Sequence, residues 1–125
     1  IREAAQLAGA HIAEFTVAPN ITPAEGHPRH EWYIEFAEEP DNLETFRQAL
    51  DAALCRQNIY YRDLIASGIL EKLHIRKLRS SGFHAYLKAQ GRLGGQNKPP
   101  HLANDRHIAD ELEYFLESTS EAYFP

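Results

Sequence analysis

The sequence predicts an α+β domain: a small mixed or antiparallel sheet of three to four strands, flanked by helices. Three observations carry that prediction. Apolar and polar residues alternate from Ile12 to Val17 and again from Glu31 to Phe36, the period of a strand. Leu43, Phe46, Leu50 and Leu54 recur at the period of a helix. The elements then follow as strand, strand, helix, helix, strand, helix, loop, helix, an order that lays helices on a small sheet.

Residues 1–8 read as a weak helix whose Ala4, Ala5, Leu7 and Ala8 have little to bury. His11–Val17 is the first strand. The stretch 19–28 holds three prolines and a glycine and reads as loop. Glu31–Phe36 is the second strand, with Trp32, Ile34 and Phe36 on one face and Tyr33 and Glu35 on the other. Pro40, then Asp41 three residues before Glu44, predicts a capped helix running to about Gln57. A short helix follows from Tyr60 to Ala66 and stops at Ser67-Gly68. Ile69–Leu78 is read as the third strand, with the basic run from Lys72 to Arg79 on its outer face. Ser80 or Ser81 caps a helix through Gln90 that turns Phe83, Tyr86 and Leu87 inward. Asn104 or Asp105 opens the last helix, with Ile108, Leu112, Phe115 and Leu116 on one face, and 118–125 is read as a frayed end.

Bulk composition narrows the class. A chain of 125 residues, 43% hydrophobic and 25% charged, fits one globular domain with a real core. The formal net charge of -5 gives no nucleic-acid footprint. No apolar run reaches the roughly 20 residues of a membrane span, and no secretory leader opens the chain. The one cysteine, Cys55, excludes an internal disulfide, so a cytoplasmic setting is expected. The chain opens on Ile1 and contains no methionine, which predicts that residues 1–125 are one domain excised from a larger protein.

Chemistry-bearing residues are few. Seven histidines invite a metal, but the nearest pair, His27 and His30, falls short of the four ligands of a structural zinc, and no metal site is read. His74 is placed on the solvent side of its strand, and His84 and His107 on helices. Cys55 reads as an inert thiol. Glu35, Glu38, Glu39 and Asp41 read as a solvated turn at a helix N-terminus. No serine–histidine–acid set, nucleophile elbow, Walker loop or dinucleotide fingerprint is present. What remains is Gly91-Arg92-Leu93-Gly94-Gly95-Gln96-Asn97-Lys98-Pro99-Pro100-His101. Its glycines permit unusual backbone angles, its prolines stiffen the exit, and one lysine is carried between them.

Two blocks, taken together, carry a resemblance. The first is His30-Glu31-Trp32-Tyr33-Ile34-Glu35-Phe36, followed by Phe46, Leu50, Asp51 and Leu54 and then Asn58-Ile59-Tyr60-Tyr61-Arg62. The second is Gly82-Phe83 with Tyr86, followed by Gly91 to Pro100. The ordered series resembles the C-terminal domain of the auxin-responsive promoter family, the Gretchen-Hagen-type acyl-acid amido synthetases, and its bacterial members more than its plant ones. The resemblance runs from about His30 to about Leu112.

That resemblance implies an adenylate-forming ligase. Such enzymes use ATP and Mg2+ to convert a carboxylic acid to an acyl-adenylate, then pass the acyl group to the amine of an amino acid. A large N-terminal adenylation domain, absent here, holds most of the nucleotide and acid site, and the small C-terminal domain swings over it. Lys98 matches the lysine of the family's Gln-x-Lys-x-Pro segment and is implied to meet charge developing on the reacting oxygens. Gly94 and Gly95 are implied to free the loop, and Gln96 to orient it or touch substrate. His101 stands where the family usually has arginine. Tyr60 and Arg62 match the family pattern but are read as packing and ion-pairing residues. The expected partners are the adenylation domain and two small substrates, a carboxylic acid and an amino acid, with no nucleic acid and no membrane. The piece alone is expected to be inactive. The alternative is a non-catalytic α+β protein-binding module. A several-hundred-residue adenylation domain upstream of Ile1 favours the ligase, and a natural start near Ile1 favours the module.

Overall fold

The computed structural model describes residues 1–22, 26–91, 101–103 and 105–117. Its elements are α1 (Arg2–Ala8), β1 (His11–Asn20), β2 (Arg29–Glu38), α2 (Leu43–Gln57), α3 (Ile59–Ala66), β3 (His74–Lys77), α4 (Gly82–Ala89) and α5 (His107–Leu112), with a 3-10 turn at Glu113–Phe115. The three strands form one mixed sheet in the order β1-β2-β3. β1 and β2 pair antiparallel, while β2 and β3 pair parallel, Trp32 opposite Ile75. A parallel pair needs a crossover, and α2 with α3 supplies it.

Both faces of the sheet are covered. On one face Val17, Trp32, Ile34 and Ile75 pack with Ala4, Ala8, Leu43, Phe46 and Leu50 from α1 and α2. On the other, Ala18 and Tyr33 pack with Phe83, Tyr86, Ala109 and Leu112 from α4 and α5. The α+β class expected from the sequence is the observed one. The middle of β2 is therefore apolar on both sides, and Trp32, Tyr33 and Ile34 are all buried in succession.

Several expectations are corrected. α1 is not idle, because its alanines let it sit closely on α2, and Ala4 is fully buried. β1 and β2 run longer than the alternation indicated, since pairing continues to Asn20 opposite Arg29. The third strand is only four residues. The backbone before it is committed elsewhere: Gly68 turns at φ 80, the Leu70 N–H donates to the Leu64 carbonyl and the Glu71 N–H to that of Pro28. The cap of α2 is Asn42, not Asp41, and its side chain accepts from the Thr45 N–H at 2.9 Å. The last helix starts at His107 rather than at 104 or 105, with Asp105 accepting from the His107 N–H.

After residue 100 the chain returns as an extra edge. The His101 carbonyl accepts from the Val17 N–H and the Val17 carbonyl from the Ala103 N–H, each at 2.8 Å, so Leu102 bridges β1 in parallel. At the far edge, Leu116 bridges Leu78 in antiparallel fashion. Residues 101–103 thus flank one edge of the sheet, and Leu116 the other. No helix among the described residues is long and apolar enough to cross a membrane.

Candidate functional site

Lys98, Gly94, Gly95 and Gln96 lie outside the described residues. The structure does place both flanks of their segment. α4 ends at Ala89, and Gly91 follows at φ 67, a left-handed turn that suits glycine. His101 marks the return, on the edge of β1.

β2 fixes both flanks through one row of side chains. Glu31, Tyr33 and Glu35 alternate along the strand and share the face under α4 and α5. Glu35 sits at the start of α4, where its carboxylate accepts from the backbone N–H of Ser81 at 3.2 Å and of Phe83 at 2.9 Å. Ser81 itself stands at φ 61 and its side chain caps nothing. The expected serine cap is thus replaced by a remote carboxylate at the positive end of the helix. Glu35 is therefore not part of a solvated turn, and Glu39 of the same acidic group pairs with Lys77.

Glu31 holds the other flank. It is 4% exposed. Arg106, just before α5, donates to it at 2.7 Å, to the Tyr33 hydroxyl at 2.9 Å and to the Pro19 carbonyl at 3.4 Å. Arg29 and Asn20 each donate to the second Glu31 oxygen at 3.2 Å. The Tyr33 hydroxyl donates to Glu113 at 2.5 Å, and Arg76 pairs with the same carboxylate. Burial pushes the Glu31 carboxyl up, but the Asn20 amide and the Arg106 and Arg29 guanidiniums outweigh it and hold the group below the ordinary range. Burial, then the carboxylates of Glu113 and Glu31, push the Tyr33 phenol well above its ordinary range, so it stays a neutral donor.

At the return point three rings stack in a ladder across neighbouring strands. Trp32 lies 5.6 Å from Phe15, and Phe15 lies 4.1 Å from His101. The His101 Nε2 is 3.0 Å from Glu14. His101 thus reaches from the returning edge to a carboxylate of β1. An open groove of about 650 Å3 runs beside the ladder, lined by Ile1, Glu3, Gln6, Phe15, Gln57 and His101.

The remaining candidates separate cleanly. His27 is exposed, while His30 stacks on Tyr61 at 5.9 Å. Among the described residues, no three of His, Cys, Asp and Glu gather closely enough to hold a metal ion. His74 is 5% exposed rather than on the solvent side, because β3 pairs along β2 and brings it beside Glu71. The basic run is likewise not a free outer face: Arg76 pairs with Glu113, and Lys77 with Glu39 and Glu117. Cys55 is half-buried, and burial with the Asp51 carboxylate pushes its thiol up, away from thiolate chemistry. Tyr60 is 79% exposed and does not pack, whereas its neighbour Tyr61 is buried and donates to Asp51. Arg62 pairs with the adjacent Asp63, at 3.5 Å. The sequence reading missed Arg106, Glu31 and Tyr33 as a unit. Its one available signal was the polar alternation Glu31, Tyr33, Glu35 on a strand otherwise rich in core residues.

Comparisons with known proteins bear on this arrangement. A family model described as the GH3 family C-terminal domain matches residues 1–107, a span that starts earlier and stops sooner than the resemblance read from the sequence. None of the curated proteins matches the chain. Among solved structures, one of GH3.15 acyl acid amido synthetase is similar with a TM-score of 0.68 and 16% identity, covering 92% of this chain and 21% of that one. One of AtGH3.15 acyl acid amido synthetase in complex with 2,4-DB gives a TM-score of 0.69 and 16% identity, over 92% and 22% of the two chains. At that identity the likeness is one of fold. The chain spans about a fifth of the length of these structures.

Proposed function

Because the chain belongs to the GH3 family, as its C-terminal domain, we propose that it serves as the mobile C-terminal domain of an ATP-dependent acyl-acid amido synthetase. In this reading it is one domain of a larger cytoplasmic protein, and its partner is an adenylation domain in the same chain. That protein activates a small carboxylic acid as its adenylate and transfers the acyl group to an amino acid. The observation that carries the reading is the family match over residues 1–107, which takes in the whole of 91–100.

In this reading ATP and Mg2+ are held mainly by the adenylation domain. This domain's own contribution is Lys98. A compact ammonium can counter the negative charge that develops on reacting oxygens in a site closed to water, where such a charge counts for most. Gly94 and Gly95 give its segment conformational freedom, and Gln96 orients it. The paired flanks support the reading. Glu35 fixes the start of α4 and Glu31 the approach to α5, so the segment between them departs from and returns to a rigid frame.

The test is Lys98→Ala in the larger protein, with pyrophosphate release from ATP and acid as the readout. Loss of one such electrostatic donor is expected to cost on the order of 10²–10³ in rate. Unchanged release would remove Lys98 from the chemistry.

A further inference from the structure

We propose that the pocket between α2 and the start of β3 binds a small oxyanion carrying one negative charge, a carboxylate or a singly charged phosphate group. The pocket measures about 200 Å3 and is lined by Arg47, Glu71, Lys72 and His74, every one an ionisable side chain. That volume suits a ligand of a few heavy atoms and falls short of the range for larger organic molecules. Local structure builds the walls. The crossover leaves α3 at Ala66 and turns back towards β3, with the Glu71 N–H held by the Pro28 carbonyl at 2.8 Å. Arg47 on α2 donates to the Leu73 carbonyl at 3.4 Å, which joins the helix to the returning chain between Lys72 and His74.

Three observations select the ligand. First, two of the walls are buried although polar: Arg47 is 8% exposed and His74 5%. Packing holds such groups in position before any ligand arrives. Second, Arg47 has donors left over. Of its five N–H groups, those on Nε and one on Nη2 go to Glu44 and one on Nη1 goes to the Leu73 carbonyl, which leaves two with no partner among the described residues. Third, the charges around the pocket balance except for one. Glu44 pairs with Arg47, while Glu71 lies 3.5 Å from Arg29 and 3.4 Å from the His74 Nε2. Burial, then the Arg29 charge, lowers the His74 pKa, so the imidazole is neutral at neutral pH. Lys72 is exposed and has no hydrogen bond or ion pair among the described residues. Its ammonium and the remaining Arg47 donors suit an oxyanion, and the Glu71 carboxylate on the same wall favours one negative charge over two.

Nuclear magnetic resonance titration of the 125-residue chain tests the site, with sodium acetate and inorganic phosphate as separate probes and sodium chloride at matched ionic strength as the reference. At least one probe is expected to shift the backbone amides of residues 71–74 along a saturating curve that chloride does not produce. Saturation by acetate alone assigns a carboxylate, by phosphate alone a phosphate group, and by both the chemistry they share. Lys72→Ala should weaken the binding at least about tenfold, the usual loss for one hydrogen bond to a charged group. Lys72→Arg should retain it, and Lys88→Ala, at an exposed lysine of α4, should leave it unchanged. No saturation with either probe, an equal response to chloride, or binding that survives Lys72→Ala undiminished overturns the proposal. None of these readouts involves pyrophosphate release, so the outcome is independent of the ligase reading.

Discussion

Arg106 and Glu31 are 75 residues apart in the chain, and the guanidinium donates to the buried carboxylate at 2.7 Å. Four residues along the same strand, Glu35 accepts from the N-terminus of α4. One face of β2 therefore fixes the helix before the lysine segment and the turn after it. Both contacts are made by a strand far in sequence from the elements it fixes.

Arg106→Ala should be among the costliest single changes at a partly exposed residue. It removes four hydrogen bonds, to Glu31, Tyr33, Pro19 and Asp110, and leaves the Glu31 charge buried with Arg29 and Asn20. Breaking a buried pair from one side costs more than the pair contributes, and with Arg29 remaining the expected loss is about 2–3 kcal/mol. The urea midpoint of the 125-residue chain measures it. A midpoint within error of the unsubstituted chain would show that the network contributes nothing.

Stability should fall in two stages as pH drops. Burial, then the Arg29 charge, lowers the pKa of His74, and burial alone lowers that of His30, both from an ordinary value of 6.5. The folded state resists protonating them, so their contribution is whole above 6.5 and is lost as pH falls through the depressed values. Glu31 is held below its ordinary 4.5, so its contribution is whole above 4.5 and is lost below it. His30→Phe, which keeps a ring against Tyr61, should flatten the stage that begins at 6.5. Glu31→Gln should flatten the stage below 4.5. Urea midpoints against pH that run parallel for all three proteins would contradict both assignments.

Local pattern made most of the fold legible. The stripe from Leu43 to Leu54 and the alternation in β1 and β2 stood in the sequence because burial on one face writes a period. What failed was anything set by distant partners. Asn42 and Asp41 are equally good caps by type, and only the approach of the chain selects Asn42. Ser81 looked like a cap because serine usually is one, but Glu35 had taken the role from 46 residues away. His74 looked exposed because its strand alternates with charge, yet pairing beside β2 buried it. The candidate lysine segment is read by resemblance alone, while the pairing of Glu31 with Arg106 was not legible, since Arg106 lies 75 residues from the strand alternation that includes Glu31.

The remote cap predicts an unusual set of substitutions at the start of α4. Ser81→Ala should change little, because the hydroxyl makes no cap bond. Ser81→Gly should stabilise by about 0.5–1 kcal/mol, since φ 61 strains any residue with a Cβ. Glu35→Ala should cost about 1–2 kcal/mol, the usual loss when a helix cap is removed. Thermal melts of the three variants give the order directly. A larger loss for Ser81→Ala than for Glu35→Ala would restore the serine as the cap.

Gly82→Ala should destabilise, although alanine is the better helix former. A Cβ at Gly82 would lie 3.1 Å from the Leu78 Cβ and 3.3 Å from the Phe115 carbonyl oxygen. Neither neighbour can swing away. Leu78 is 2% exposed in the core, and the Phe115 carbonyl is held by the Arg79 N–H at 3.0 Å. The helix must shift, and overpacking of this kind costs about 1–3 kcal/mol. Propensity offsets at most about 1 kcal/mol, and less at the first helical position than in the interior. The balance is a net loss, read as a lower Tm of the 125-residue chain. Because α4 leads straight to Gly91, the same displacement should carry into the lysine segment, so in the larger protein Gly82→Ala is expected to slow pyrophosphate release even at temperatures where the domain stays folded. A Tm equal to or above that of the unsubstituted chain would mean that α4 has room at Gly82 and that its close approach to Leu78 and Phe115 is not what fixes its position.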